Sequence, residues 1–232
     1  MSLATDLTAR EAEVIRILKL LSPHKDKFVV IGGYAVNSIA SHRFSVDCDL
    51  ILTRKKTAII GRILKKEGYR VQRKHTSVEQ FTKLVGGREV FVDLFLNKLI
   101  CRQTGGCWAY DFIRRNSSES TVIGLTGTVT AFVPKRELLI AMKVHAGRGA
   151  DLRDIVMMSE HADWKLVSKF ANTGTKQKVI HQISNAMKTI SKSQFSSSLK
   201  AEFSLTADVT PLIKRSVEGL SVMKTEIERH IS

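Results

Sequence analysis

Residues 28–52 read FVVIGGYAVNSIASHRFSVDCDLIL, two apolar runs separated by a glycine pair and a helix-like stretch. The first run, FVVI, ends at Gly32 and Gly33, and YAVNSIASH then has the composition of a short helix. The second run, VDCDLIL, places Asp47 and Asp49 two residues apart, a spacing that puts both side chains on one face of a strand. The stretch therefore predicts a strand, a glycine turn, a helix and a second strand with two carboxylates on one face.

Two neighbouring carboxylates in a strand require compensation, because at about 4 Å they repel by roughly 4 kcal/mol at an effective dielectric of 20. Protonation of one acid, an ion pair with an arginine such as Arg43, or a hard divalent cation would each relieve this repulsion. The run VFVDLF supplies a third strand carboxylate, Asp93. Three acids on two strands favour the cation, since Mg²⁺ prefers carboxylate oxygens and is usually completed by substrate phosphates.

The glycine pair has two explanations. Without side chains, Gly32 and Gly33 allow backbone N–H groups to approach an anion at the start of the following helix. A plain tight turn explains them equally well. The pattern G-x-x-x-x-G-K-[ST] is absent, which excludes a P-loop.

The rest of the chain predicts an α/β (α+β) fold: a small mixed β-sheet flanked by helices in residues 1–134, then a mostly helical lobe in residues 135–232. TAREAEVIRILKLL predicts an amphipathic N-terminal helix, with Thr8 and Glu11 at capping-box spacing. VEQFTKLV and REVFVDLFL flank a glycine pair and predict a hairpin.

Two stretches carry weaker signals. Residues 97–120 lack a clear period, so we expect irregular structure before the short strands STVIGL and TVTAFV. The serine-rich residues 191–200 predict a loop or a fraying helix end among the C-terminal helices.

Charge is the most unusual property of the composition. Lys and Arg number 37 against 22 Asp and Glu, which gives a net charge of +15. Such an excess is typical of proteins that bind a polyanion, with nucleic acid as the leading candidate, although a generally basic surface is the alternative. Aromatic residues, at 6%, are too few to predict a base-stacking platform.

Cysteine and histidine usage argues against a disulfide or transition-metal framework. The three cysteines form no C-x-x-C pair, which favours a reducing, cytoplasmic location. His145 and His161 lack metal-ligand spacing, and we expect both on the surface. The N-terminus lacks the apolar core of a signal peptide and no run reaches the length of a membrane span, so no membrane partner is expected.

An apolar strand ending at Gly32-Gly33, then D-C-D in a second apolar strand and Asp93 in a later one, resembles the nucleotidyltransferase superfamily related to DNA polymerase beta. The hallmark of that superfamily is h-G-[GS] followed by D-h-[DE]-h. The segments RFSVDCDL and AMKVHAGRGADLRDI look most like the AbiEii/AbiGii toxin branch, whose members are often paired with an antitoxin. The resemblance covers about residues 28–156. Tyr34 follows the glycines where many members have a serine, so either backbone amides or Ser38, one helical turn on, are expected to replace that hydroxyl.

The resemblance implies two-metal nucleotidyl transfer from an NTP, with Mg²⁺ or alternatively Mn²⁺ as the ions. Asp47 and Asp49 would hold both ions, and Asp93 would ligate the second and help to deprotonate the acceptor hydroxyl. The residues implied in NTP binding are Gly32, Gly33, Ser38, Lys143, Arg148 and Asp154. Lys143 and Arg148 would neutralise the triphosphate, with Asp154 orienting one of them, although a solvated helix lysine explains Lys143 equally well.

The acceptor expected from the resemblance and the charge is RNA, plausibly tRNA, with a toxin–antitoxin role and an antitoxin protein as a further partner. Two alternatives remain at this point. One is transfer to a protein hydroxyl or to a small molecule such as an aminoglycoside. The other is a non-catalytic module that binds RNA or a protein partner.

Overall fold

The computed structural model describes residues 3–229, with side chains from residue 6 onward, and contains a five-stranded mixed sheet. The strands of this sheet are β1 (Phe28–Ile31), β2 (Asp47–Leu52), β3 (Arg70–Lys74), β4 (Val78–Val85) and β5 (Arg88–Leu96). Their order across the sheet is β1-β2-β5-β4-β3; β2 and β5 run parallel, and the other neighbours run antiparallel. The predicted α/β fold with a small mixed sheet is confirmed.

The central strands alternate between a buried and a more exposed face. Val90, Val92 and Leu94 of β5 are buried, whereas the residues between them are partly exposed. Phe81 of β4 lies on the buried face, because it pairs in register with Val92. This period of two is the pattern from which the strands were predicted.

The hairpin between β4 and β5 turns at Gly86 and Gly87, as predicted. Both glycines have positive φ, 61° and 85°. A two-residue hairpin turn of type I′ requires positive φ at both central positions, which explains the glycine pair.

The N-terminal helix is α1 (Leu3–Leu21). Val14, Ile17 and Leu18, which lie on its predicted apolar face, are buried. The capping-box prediction is wrong, because Thr8 lies inside the helix. The residues before it include alanine and leucine, good helix formers that extend α1 toward the N-terminus.

The remaining elements before Pro134 are smaller. They are α2 (Gly32–Val36), α3 (Thr57–Lys66), β6 (Lys98–Ile100), β7 (Cys107–Ala109), α4 (Tyr110–Arg115), β8 (Ser117–Gly124) and β9 (Gly127–Pro134). Strands β8 and β9 were predicted and form a separate two-stranded sheet. The prediction that residues 97–120 are irregular is wrong: Trp108 and Tyr110 are buried there, so packing gives this stretch its structure.

After Pro134 the chain is helical, as predicted. The helices are α5 (Arg136–Ala146), α6 (Gly149–Met158), α7 (Trp164–Ala171), α8 (Lys176–Ile190), α9 (Ser193–Phe203) and α10 (Thr210–Glu228). Residues 191–200 were predicted as a loop or a fraying helix end, but from Ser193 onward they belong to α9, in which Phe195, Leu199 and Phe203 recur every four residues and are buried. Within residues 3–229, no helix combines the length and apolar character that a bilayer crossing needs.

By its internal contacts the chain divides into two compact units. A sheet unit comprises Met1–Ser38, His42–Leu99 and Trp108–Pro134. A helical unit comprises Ile39–Ser41, Ile100–Cys107 and Lys135–Ser232.

Candidate functional site

Two of the three predicted catalytic acids are direct neighbours in the sheet. Asp49 of β2 pairs in register with Asp93 of the parallel strand β5 and, on its other side, with Ile31 at the end of β1. In-register residues of adjacent strands lie about 4.8 Å apart and point to the same face. Asp47 lies two residues before Asp49 and therefore shares that face. The register thus brings the three acids together on one face, beside the end of β1; we call it the acid face.

The electrostatics of the acid face show concentrated negative charge. The pKa of Asp93 is raised, first because its carboxyl is partly buried and further by the charge of Asp47. Gln80 opposes this shift, since its Nε2 donates to Asp93 Oδ1 at 2.8 Å. The thiol of Cys48, fully buried between the two β2 aspartates, has its pKa raised well above the ordinary value by burial and then by Asp49, Asp93 and Asp47. All three carboxylates therefore lie close enough to one another to raise the pKa of the same thiol.

The glycine pair is shaped by this site. Gly32 has a φ of 69°, and a Cβ placed on it would collide with the Oδ2 of Asp49 and lie 2.9 Å from its Cγ. A Cβ on Gly33 would lie 2.6 Å from Ser45 Oγ. Gly32 is therefore required both by its left-handed backbone and by the carboxylate that rests against it. The structure brings together the glycine turn and the acid pair that the sequence placed in one motif.

The chain between the glycines and β2 is held by buried polar contacts. Tyr34 is fully buried, and its hydroxyl donates to the carbonyl of Ser45 at 2.6 Å. Asn37 binds the backbone of Arg43, donating through Nδ2 to its carbonyl at 2.9 Å and accepting from its N–H at 3.2 Å. These contacts fix the return of the chain toward Asp47.

The hydroxyl beside the glycine turn belongs to Ser45, which sequence reasoning did not select. Ser38, the residue predicted to contact the NTP, donates its hydroxyl to the carbonyl of Ala35 at 2.7 Å, one turn back in the chain. The guanidinium of the largely buried Arg43 lies next to Gly33, with Nη2 3.2 Å from the position of a Cβ there. Both residues stand in HRFSVDCD, directly before the acids, and that proximity in sequence was the available signal.

The acid face fits a hard divalent cation in the kind of donor it offers. Asp47, Asp49 and Asp93 are carboxylates, the ligands that Mg²⁺ and Mn²⁺ take, and a cation would offset both the burial and the Asp47 charge that raise the pKa of Asp93. Within residues 3–229, no three His, Cys, Asp or Glu side chains are already arranged as a metal-binding group. A three-carboxylate site would therefore need side-chain rotation on this face.

The predicted basic residues form a separate cluster in the helical unit. Lys143 is buried rather than solvated, with Nζ 2.9 Å from Asp151 Oδ1 and 2.7 Å from Asp154 Oδ2. Arg148 donates to Asp151 from Nε at 2.7 Å and from its backbone N–H at 3.1 Å. Burial favours a higher pKa for Asp151, but the charge of Lys143 and the Arg148 hydrogen bond bring it below its ordinary value.

This cluster pairs the two basic side chains, Lys143 and Arg148, with Asp151 and Asp154, so their charges balance. Asp151 was not among the predicted site residues, although its place three residues before Asp154 puts both on one face of α6. The role of Lys143, Arg148 and Asp154 in NTP binding stays a prediction.

The expectation of a surface position holds for His161 and is wrong for His145. His161 has a side-chain exposure of 83%. His145 is fully buried, with Nδ1 2.5 Å from Thr104 Oγ1 and Nε2 2.9 Å from the carbonyl of Ala171. Burial lowers the pKa of this imidazole.

Comparison with known proteins shows the fold alone. The chain matches no family model and no curated protein. It is similar in structure to a candidate nucleotidyltransferase from H. pylori, with 13% identity, a TM-score of 0.54 and coverage of 99% of this chain and 98% of that one. It is also similar to JHP933 from Helicobacter pylori, with 13% identity, a TM-score of 0.54 and coverage of 95% and 93%.

A weaker likeness, to the lincomycin-bound lincosamide antibiotic adenylyltransferase LnuA, has 16% identity, a TM-score of 0.47 and coverage of 65% of this chain and 97% of that one, and carries no argument. On the likeness to the two H. pylori proteins, the chain has a fold consistent with that of a nucleotidyltransferase, and its assignment to the AbiEii/AbiGii branch stays a prediction.

Proposed function

We propose that the chain is a nucleotidyltransferase that transfers NMP from an NTP to a hydroxyl of RNA, with Asp47, Asp49 and Asp93 as its catalytic acids. One observation carries this proposal: Asp49 lies in register with Asp93 while its carboxylate rests against the backbone of Gly32. A glycine with a left-handed φ that packs against a carboxylate would put backbone N–H groups, which can contact phosphate, beside carboxylates, which can hold a cation.

Asp47 and Asp49 would hold the divalent ions, with Asp93 as a further ligand. Bound Mg²⁺ would neutralise the negative charge that develops on the phosphates. In the reaction the acceptor oxygen bonds to the α-phosphorus, the bond from that phosphorus to the bridging oxygen breaks, and pyrophosphate leaves with the electron pair. Asp93 would accept the proton of the hydroxyl, a role that its raised pKa suits better than an ordinary carboxylate.

The residues around the glycine turn would position the triphosphate. We propose that Ser45 contributes the hydroxyl and Arg43 the charge there, because both side chains lie against Gly33. Arginine suits this place, since its planar fork can contact two phosphate oxygens at once. The backbone of Gly32 and Gly33 would complete the contact surface.

RNA is the proposed acceptor because of charge. A net charge of +15 favours a polyanionic partner over a neutral small molecule. Together with the resemblance of RFSVDCDL to the toxin branch, this supports tRNA as the acceptor class, a cytoplasmic location and control by an antitoxin. Expression of the wild type would then arrest growth, whereas Asp49→Asn would not.

The test uses NTPs with a radioactive α-phosphate, Mg²⁺ and total RNA. We expect label on RNA from the wild type, and a decrease of at least about 100-fold for Asp49→Asn, because a lost charge interaction in the transition state costs this much. The matched control is Asp111→Asn, an exposed acid at the start of α4, which should label RNA as the wild type does.

Equal labelling by wild type and Asp49→Asn would overturn the assignment of the acids. Label that appears only on protein or on an aminoglycoside would overturn the acceptor while leaving the transferase in place.

A further inference from the structure

Two rows of in-register residues cross the sheet from the acids to the edge strand β3. In the first row, Asp93 pairs with Gln80 of β4, and Gln80 pairs with Arg73 of β3. The hydrogen bond from Gln80 to Asp93 shows that the side chains in this row point the same way. Arg73 therefore lies on the acid face, two strand spacings or about 10 Å from Asp93 between backbones.

The second row begins at Asp47. Asp47 pairs with Phe91 of β5, Phe91 with Thr82 of β4, and Thr82 with Arg70 of β3. Each member is an in-register neighbour of the next, so Arg70 also belongs to the acid face. Each arginine thus ends a row that contains a catalytic acid.

A bulge in β3 is what turns both arginines to this face. Residues three apart on a regular strand point to opposite faces, so Arg70 and Arg73 would normally diverge. The register shifts between Val71 and Arg73, which leaves Gln72 as the additional residue. Val71 pairs with the buried Phe81 and so belongs to the other face. The bulge therefore places two guanidinium groups beside the acids.

Both arginines are available to a ligand. Every residue of β3 is exposed, and within residues 3–229 neither the Arg70 nor the Arg73 side chain makes a hydrogen bond or an ion pair. The opposite face of the sheet is occupied, since Gly61 of α3 packs on the ring of Phe81.

We propose that Arg70 and Arg73 form a phosphate-binding surface that holds the backbone of the RNA acceptor beside the catalytic acids. This inference rests on the proposed function, whose acceptor it places. Contacts to phosphate carry no sequence information but fix position and register, as a transferase needs for its acceptor end. Two exposed guanidinium groups on one strand suit successive phosphates, because each can contact two oxygens.

A different reason for charge on β3 is protection of the sheet edge. Charged side chains on an edge strand discourage pairing with other chains. That role is met by charge on either face and does not require the bulge at Gln72. The orientation of both arginines toward the acids is the feature that the phosphate surface explains.

The test compares Arg70→Gln/Arg73→Gln with Arg62→Gln/Lys65→Gln. The control residues are exposed on α3, which packs on the opposite face, and their replacement removes the same charge. Binding of a fluorescein-labelled single-stranded RNA oligonucleotide is followed by anisotropy over a salt series. We expect the Arg70/Arg73 variant to bind about tenfold or more weakly, and its salt slope to fall by roughly 1.4, about 0.7 for each phosphate contact.

With labelled NTP, the same variant should show a raised KM for RNA and an unchanged KM for NTP. Melting temperatures of both variants close to that of the wild type show that the fold is kept. RNA binding that is equal in the two variants, or absent from the wild type, overturns the surface. Binding that depends on the arginines in a protein that transfers no label supports the surface and counts against the proposed reaction instead.

Discussion

Replacement of Gly32 by alanine tests the link between the glycine turn and the acids. The added Cβ meets two separate penalties. A left-handed φ of 69° costs a non-glycine residue about 1–2 kcal/mol. The Cβ would also lie 2.9 Å from Cγ and 3.2 Å from Cβ of Asp49, so the carboxylate must rotate away. A displacement of about 1 Å in a catalytic group can cost 100-fold in rate, so we expect at least that loss of nucleotidyl transfer.

The substitution Gly87→Ala carries the backbone penalty without the collision, so it serves as the control for Gly32→Ala. Gly87 has a φ of 85° in the β4–β5 turn, and a Cβ there meets nothing within 4 Å. Gly87→Ala should therefore lose only the stability that the left-handed backbone costs, at about 2–4 °C in melting temperature for each kcal/mol, and keep its activity. Thermal melts and the labelled-NTP assay on both variants decide the matter. A Gly32→Ala protein as active as Gly87→Ala would show that the carboxylate position at Gly32 does not matter for catalysis.

Three further outcomes follow from the described contacts. Mg²⁺ at about 100 times its Kd should stabilise the wild type and Asp111→Asn by about 2.7 kcal/mol, seen as a raised melting temperature that Asp49→Asn lacks; an equal shift in all three would contradict the metal assignment. Lys143→Met removes the buried cation that Asp151 and Asp154 share, although Asp151 keeps its contact with Arg148, and should cost about 3–5 kcal/mol in denaturant unfolding; a loss below 1 kcal/mol would show that the buried carboxylates do not depend on Lys143. The pKa of His145 is lowered by burial, so the unfolded chain binds the proton more readily and stability should fall as pH drops below about 6.5; melting curves of His145→Gln should lack this part of the pH dependence.

The fold was predictable where local pattern and tertiary packing agree. The apolar run of β1 and the glycine hairpin between β4 and β5 both carry their own signals. Helix α9 was misread because its serines suggested a loop, although Phe195, Leu199 and Phe203 already stood at helical spacing. Burial of Trp108 in residues 97–120 has no local signal, because it depends on residues distant in sequence.

The same distinction applies to the candidate site. The period of two put Asp47 and Asp49 on one face without reference to any other strand. The choice between Ser38 and Ser45 depended on which hydroxyl meets the glycine turn, and this is set by the return of the chain rather than by helical spacing. Burial of Lys143 likewise follows from packing within the helical unit.

The alignment of the acids with their neighbours in the sheet depends partly on local sequence pattern and partly on tertiary packing. In a hairpin with a two-residue turn, the turn fixes every pair along both strands, so the turn at Gly86-Gly87 by itself places Gln80 opposite Asp93. The parallel pairing of Asp49 with Asp93 has no such local determinant, and a slip of one residue would move Asp93 to the buried face. The position of Arg73 is still harder to predict from the sequence, because a β3 strand without the bulge would not turn both of its arginines to the acid face. The extra residue Gln72 is thus what lets Arg70 and Arg73, three apart in sequence, face the acids together. Without Gln72 the two arginines would stand two positions apart in a regular strand and should still share the acid face, so replacement of their side chains, and not a deletion in the bulge, separates the basic edge strand from the acids.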